Sequence, residues 1–281
     1  MDRLLLIDGS NLLFQMFYGM PARLNGPDGR PIHGTVGFVG ALLRIVRMTS
    51  PTHIAVFFDG ECANPRRELD EAYKANRPDY SEMAEESIPF SQLPDIYRAL
   101  DWLGIRHCQT QCCETDDWMA GYVRKYGADT DITISSFDSD FFQLISDNVR
   151  ILRYRGDNTL ICDRAYIQNR LGIEPEQYAD FKSLTGDTAD NIRGANRVGP
   201  KTAAWLLQLF GDLDHVLAHA EEISKSSIRD SILASRQQLL LNRKLIRLDG
   251  SEELPFPLKE LEYRYNGVSS SQVLQAIGLR N

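Results

Sequence analysis

The sequence predicts an α/β fold, a mostly parallel twisted sheet flanked by helices, followed by a helical lobe. Three observations predict it. Short apolar, β-prone runs alternate with helical patterns up to about residue 154, the order that a parallel sheet covered on both faces requires. Three of those runs close on an aspartate: Asp8, Asp59 and Asp138. From about Asp163 the apolar spacing becomes helical throughout.

Residues 3–8 form the first predicted strand, with Leu4-Leu5-Leu6-Ile7 ahead of Asp8. Gly34 to Thr49 reads as a helix whose apolar face is Phe38, Leu42, Leu43, Ile45 and Val46. Residues 53–59 give the second strand. The stretch from Glu61 to Phe90 is charged, carries Pro65, Pro78 and Pro89, and has little apolar periodicity. It predicts a mobile excursion, and long loops of that kind are usually functional or disordered. A helix with Leu93, Ile96, Leu100 and Leu103 ends at Gly104. Another runs from Thr115 to Tyr126 and stops at Gly127. A strand over 131–137 leads into a short helix with Phe141, Phe142, Leu144 and Ile145. A strand follows at 149–154. Helices are then expected at 163–171, 175–184, 201–210, 212–222 and 227–247. After Pro255 and Pro257 a short helix is expected near 270–277. We expect an α/β core over 1–180, including the excursion 61–90, and a helical lobe over 181–281.

Composition narrows the class. At 43% hydrophobic and 25% charged, the chain has the balance of a soluble globular protein. No apolar run approaches the roughly 18 residues of a membrane span. The chain enters a strand at once, without a basic region and cleavage site, so a cytoplasmic protein is expected. The five cysteines form no C-x-x-C pair and read as idle thiols of a reducing compartment.

Nine acidic residues carry the chemistry: Asp8, Asp59, Glu114, Asp116, Asp117, Asp138, Asp140, Asp187 and Asp190. Ligands of parallel sheets bind outside the carboxyl ends of the strands. Carboxylates delivered there suit a hard divalent cation and phosphate chemistry. A lone aspartate after a strand is more often solvated. Capping a helix would also explain one or two of Glu114, Asp116 and Asp117, and one of Asp138 and Asp140. Asp187 and Asp190 stand three apart, on one side of a turn, and would have to reach back to the sheet. Two unit charges 4 Å apart repel by about 4 kcal/mol at an effective dielectric near 20. Convergent carboxylates therefore need cations, and nine are more than one Mg²⁺ can use. With the nine set aside, the net charge of −8 becomes +1, so a nucleic-acid partner is not excluded.

The ordered set LLLIDGSN, AVFFDG, ETDD, FDSDFFQL, LTGDTADNI and GANRVGPKTA resembles the 5′-nuclease family. That family comprises the 5′→3′ exonuclease domain of bacterial DNA polymerase I and its stand-alone flap-endonuclease relatives. The likeness covers roughly residues 3–250. It implies structure-specific hydrolysis of DNA phosphodiesters near 5′ ends and flaps, by two Mg²⁺ ions for which Mn²⁺ can substitute. It implies products with a 5′ phosphate and a 3′ hydroxyl, and a role in primer and flap removal during replication and repair. Branched or 5′-flapped DNA and RNA-primed DNA are the implied partners, and a monomer is expected. No polymerase sequence is present, so a stand-alone enzyme or an excised domain is expected.

The same resemblance turns the excursion into a helical arch. Arg66, Tyr73, Lys74 and Arg77 match its R-x7-K and YKxxR pattern. Lys74 is implied to stabilise charge at the scissile phosphate, and Arg77 to hold a neighbouring phosphate. Arg66, Tyr73 and Tyr18, an aromatic near the first strand's exit that could stack on the base beside the cleaved bond, are the implied DNA contacts on this side. Phe17, Gly37 and Phe38 read as structural. Residues 184–210 resemble a helix–two-turn–helix, with Gly194, Gly199, Lys201 and Thr202 facing a DNA backbone and a potassium ion in the loop. Arg197 stands where relatives usually carry glycine. A PIN-type ribonuclease shares the acidic sheet edge but normally lacks the arch and this lobe. A branched-DNA binding protein that lost the chemistry would not need the full carboxylate set. An aspartyl phosphatase wants a second aspartate where Ser10 stands.

Overall fold

The structure is a computed structural model and describes all residues except 61–64, 78–83, 85–86, 112, 249 and 281. Its centre is a six-stranded sheet. In chain order the strands are β1 (Arg3–Asp8), β2 (His53–Phe58), β3 (Arg106–Gln109), β4 (Asp131–Ser135), β5 (Val149–Arg153) and β6 (Leu160–Cys162). They lie in the order β3-β2-β1-β4-β5-β6, parallel except for β6. The register sets Asp8 beside Phe57 and Ile7 beside Ser135. The residues that follow β1, β2 and β4 thus emerge along one edge of the sheet.

Helices α1 (Gly9–Gly19), α2 (His33–Thr49) and α4 (Leu93–Leu103) cover one face. Leu5, Ile7, Ile54 and Val56 are sealed there beneath Leu13, Phe38, Leu42 and Ile96. Gly104 ends α4 in the left-handed conformation, φ +67°, which glycine adopts without penalty. Helix α5 (Thr115–Tyr126) covers the other face, where Leu4, Leu6, Phe57, Ile132 and Ile134 meet Met119 and Tyr122. This core runs on without a break into the helical lobe, through Phe181, Leu184, Leu206 and Leu213.

The lobe contains α6 (Arg164–Leu171), α7 (Tyr178–Thr185), α8 (Pro200–Phe210), α9 (Leu213–Ala218), α10 (Ser226–Ala234) and α11 (Arg236–Ile246). The single helix expected over 227–247 is two helices, separated at Ser235. A two-stranded hairpin, β7 (Gly186–Asp187) and β8 (Ile192–Arg193), follows α7. The chain then returns to the core. Tyr263 N–H donates to the Thr52 carbonyl, and α12 (Ser270–Ala276) sets Val273 and Leu274 against Val39, Leu43 and Ala99.

Part of the excursion expected over 61–90 lies outside the described residues. Its described part carries α3 (Pro65–Leu69) and turns through 71–76. Residues 65–77 are not a loose loop. Arg66, Tyr73 and Lys74 are buried. Charge pairs supply much of the anchoring, so apolar periodicity could not announce it. No helix among the described residues is long and apolar enough to cross a membrane.

Candidate metal centre

Strand ends, one helix N-terminus and one hairpin deliver the nine acids. Asp8 ends β1 and caps α1, accepting from Asn11 N–H at 2.9 Å on Oδ1 and from Ser136 Oγ at 2.8 Å on Oδ2. Burial first, then the Asp59 and Asp138 charges, push its pKa up to about 7. Asp59 follows β2 and is exposed; its Oδ1 accepts from Thr115 N–H (3.1 Å) and Thr115 Oγ1 (2.7 Å). Its own N–H donates to Ser10 Oγ at 2.8 Å.

Glu114 occupies the N-cap position of α5 yet makes no side-chain cap. It turns instead to Arg66 Nη1 (2.8 Å), the Tyr73 hydroxyl (3.3 Å) and Lys74 Nζ. Burial would raise the Glu114 pKa; Lys74 and Arg66 outweigh it and hold the carboxyl below its usual range. Asp117 takes both ends of the Arg66 guanidinium. Asp116, in the same turn, is pushed well up by burial and then by Asp138.

Asp138 and Asp140 stand on the turn after β4. Asp138 N–H donates to Ser136 Oγ at 2.9 Å, and Asp138 Oδ1 accepts from Asp140 N–H at 2.8 Å. Ser136 therefore ties Asp8 to Asp138. Asp187 pairs with Lys182 of α7, and Asp190 with Arg77 at 3.1 Å. Lys74 N–H donates to the Asp190 carbonyl at 3.0 Å, which joins the stretch 65–77 to the hairpin.

Asp140, Asp187 and Asp190 each offer an oxygen within 4.8 Å of the other two. Asp138 feels the Asp190 charge, Asp116 feels Asp8 and Glu114, and Asp8 feels Asp59. Acids from positions 8 to 190 thus form one connected cluster. Capping accounts for Asp8 in part and for Glu114 not at all. Burial, with neighbouring acids, raises Asp8, Asp116, Asp138 and Asp140 together. Asp140 Oδ1 is buried without a hydrogen-bond partner. An orphaned oxygen among crowded carboxylates fits a hard divalent cation.

The remaining expected residues lie elsewhere or face inward. Tyr18 is exposed at the end of α1, edge-on to Phe14 and Phe17. Phe17 and Phe38 are buried, and Gly37 abuts Met16 and Met20. The Arg66 and Tyr73 side chains point at carboxylates rather than outward. Gly194 allows close backbone approach, since a Cβ there would lie 2.3 Å from the Thr185 carbonyl carbon. Gly199 caps α8 with open space about it, Lys201 is exposed in the first turn and Thr202 is half-buried. Arg197 has φ +64°, in the left-handed region. Gly194, Gly199, Lys201 and Thr202 make no hydrogen bond or ion pair to the carboxylates among the described residues. Sequence reasoning passed over Ser10, Asn11, Thr115, Ser136 and Lys182. Four of them lie within three residues of one of the nine candidate acids in the sequence, the one signal they gave.

Two family models match in tandem. One is the 5′-3′ exonuclease, N-terminal resolvase-like domain, over residues 3–172; the other is the 5′-3′ exonuclease, C-terminal SAM fold, over 173–268. DNA polymerase I of Rhizobium leguminosarum is 37% identical over 270 residues, 92% of this chain and 26% of that protein. DNA polymerase I of Deinococcus radiodurans is 34% identical over 247 residues, 87% of this chain and 25% of that protein. The chain spans about a quarter of the length of these relatives. Among solved structures, the T5 D15 protein co-crystallised with metal ions superposes with a TM-score of 0.73 at 23% identity, covering 88% of this chain and 89% of that one. The catalytic core of Rad2 in complex with DNA substrate gives 0.61 at 15% identity, covering 98% and 85%. At these identities the structural likeness is one of fold.

Proposed function

The chain belongs to the 5′-3′ exonuclease family, and from that premise we propose that it is a structure-specific 5′ nuclease. It hydrolyses a DNA phosphodiester near a 5′ end or at the base of a 5′ flap, including RNA-primed ends, and acts as a cytoplasmic monomer in replication and repair. The observation that carries the reading is the meeting of nine acids with Arg66, Lys74 and Arg77 at one sheet edge.

Asp140, Asp187 and Asp190 would hold one divalent cation. Asp8, Asp116 and Asp138, with Glu114, would hold a second. Asp59 steadies the start of α5 through Thr115, and Asp117 keeps Arg66 in place. Mg²⁺ is the proposed ion, with Mn²⁺ as a substitute. When bound, such ions supply Lewis acidity and lower the pKa of water. The protein's own cations then orient the substrate. Lys74 stands at the cluster, where a fixed ammonium offsets negative charge growing on the phosphate. The Arg77 side chain is 53% exposed, so its planar fork can hold Asp190 and still receive a phosphate oxygen. Tyr18 offers an open ring on which an unpaired base can stack. Beyond the site, the amides about Gly194 and Gly199, with Lys201 and Thr202, hold the duplex backbone, aided by potassium. The division into a core over 1–180 and a DNA-holding lobe over 181–281 belongs to the same reading.

The test is a 5′-labelled DNA flap and a matched hairpin RNA, each with Mg²⁺ or with EDTA. We expect cleavage of the flap only with the metal. Preference for the unbranched RNA would favour a PIN-type ribonuclease. Tight flap binding without cleavage would leave a binding protein.

A further inference from the structure

The turn that carries Asp138 and Asp140 is bracketed by two aromatic residues, Phe137 before it and Phe142 after it. Arg153, the last residue of β5, touches both. Its Nη2 donates to the Phe137 carbonyl at 2.9 Å. Its guanidinium carbon lies 4.6 Å from the centre of the Phe142 ring and 6.0 Å from that of Phe137. Arg153 has no carboxylate partner among the described residues, and its Nε is buried without a hydrogen bond. A half-buried arginine without an acid is costly to keep. Its cation–π contacts offset part of that cost.

The Phe137 peptide is held from its other side as well. Its N–H donates to Asn11 Oδ1 at 3.1 Å, within α1 and three residues beyond Asp8. Both backbone groups of Phe137 are thus pinned by side chains from different elements. The next residue is Asp138. Its carboxylate is already fixed by the Asp140 N–H, so rotation of the Phe137–Asp138 peptide would swing Asp138 and Asp140 together.

We propose that Arg153 is a positioning residue for metal binding: it sets the Phe137–Asp138 peptide so that Asp138 and Asp140 face the cation sites. The inference rests on the metal-centre reading above. Arginine suits the task because its rigid planar fork fixes the direction of the donor to the carbonyl while its face lies over the ring, whereas lysine is a point charge on a flexible stem and sets no such fixed geometry. Groups that orient metal ligands typically carry about 10–100-fold in metal affinity or activity.

The test measures Mn²⁺ binding to the whole chain by calorimetry, with melting temperature and single-turnover flap cleavage alongside. Arg153→Met and Arg153→Lys are compared with the parent, and Asp138→Asn serves as the control. We expect both Arg153 variants to bind Mn²⁺ about tenfold more weakly, to cleave slowly at limiting metal, and to recover at saturating metal. Flap affinity in Ca²⁺ should stay within about twofold of the parent, since no DNA contact is assigned to Arg153. Arg153→Lys keeps a charge above the rings and decides the matter if Arg153→Met does not fold. Parent-like Mn²⁺ affinity in the folded variants overturns the inference, as does a loss of cleavage that saturating metal does not restore. If Asp138→Asn also binds Mn²⁺ like the parent, the metal-centre reading itself fails.

Discussion

Arg66 grips Asp117 through two parallel hydrogen bonds, Nη1 to Oδ2 at 2.9 Å and Nη2 to Oδ1 at 2.7 Å. The side chains are only 11% and 15% exposed, and Nη1 also reaches Glu114. Fork-to-fork pairing of this kind is geometrically specific and strong. It also makes the acidic cluster dependent on one arginine drawn from a stretch of chain with little apolar pattern.

Arg66→Ala should therefore cost more than a surface ion pair. Removing one partner of a buried pair leaves the other desolvated and typically costs about 3–5 kcal/mol. We expect a loss of that order in urea unfolding without metal, and a smaller loss with Mg²⁺ present. Arg66→Lys should retain part of the stability, having a charge but no fork. A loss below about 1 kcal/mol would mean that the pair is effectively solvated.

Metal removal should reverse the usual pH trend. Asp8 holds its proton up to about pH 7 in the folded chain, whereas the unfolded chain releases it in the ordinary carboxylate range. Between those limits the folded state binds more protons, so stability falls as pH rises and the loss is complete above about 7. Asp116, Asp138 and Asp140 act in the same direction. Glu114 is held low, so its contribution is present at neutral pH and is lost only in stronger acid. The melting temperature of EDTA-treated protein should drop between about pH 5 and pH 8, and Mg²⁺ should abolish the drop. A chelated protein that melts higher at pH 8 than at pH 5 contradicts this account.

The strands that lead to Asp8, Asp59 and Asp138 were legible because buried parallel strands are rich in apolar, β-prone residues. Helices α4 and α5 were legible because Gly104 and Gly127 stop them. Other elements gave no such signal. Strand β3 is Arg-His-Cys-Gln, held at the sheet edge by β2 alone, and tertiary context overrides its composition. Helix α1 begins at Gly9 directly from Asp8, with no intervening loop to mark it. The strand expected over 131–137 ends at Ser135 because Ser136 and Phe137 turn away to hold Asp8 and Asn11. Which acids meet was readable only through the family pattern. The side chains that hold them, Ser136, Thr115 and Arg153 among them, depend on contacts between distant segments that no local spacing records.

Lys74→Ala should separate chemistry from binding. Lys74 has φ +56°, its N–H is fixed to the Asp190 carbonyl, and its ammonium pairs with Glu114. A group locked in this way adds little to grip on a long duplex, but in the proposed reaction it would place a charge beside the phosphate. Single-turnover cleavage of a 5′ flap should slow by about 10²-fold, the order seen when one preorganised charge-stabilising donor is removed. Flap affinity in Ca²⁺ should change by no more than a few-fold. Near-normal turnover would remove Lys74 from the reaction.

Arg197 offers a test of backbone strain away from the carboxylates. Its φ of +64° places an L side chain in the left-handed region, which costs roughly 1–2 kcal/mol. The side chain is exposed and makes no hydrogen bond or ion pair among the described residues. Glycine at this position would relieve the strain, while the unfolded chain gains freedom worth about 0.5–1 kcal/mol. Arg197→Gly should thus raise stability by up to about 1 kcal/mol, seen as a higher urea midpoint with an unchanged slope. Val198 and Ala195, buried on either side, hold the turn in place for both residues. A lower midpoint would show that the arginine side chain, despite its exposure, contributes more than its backbone costs.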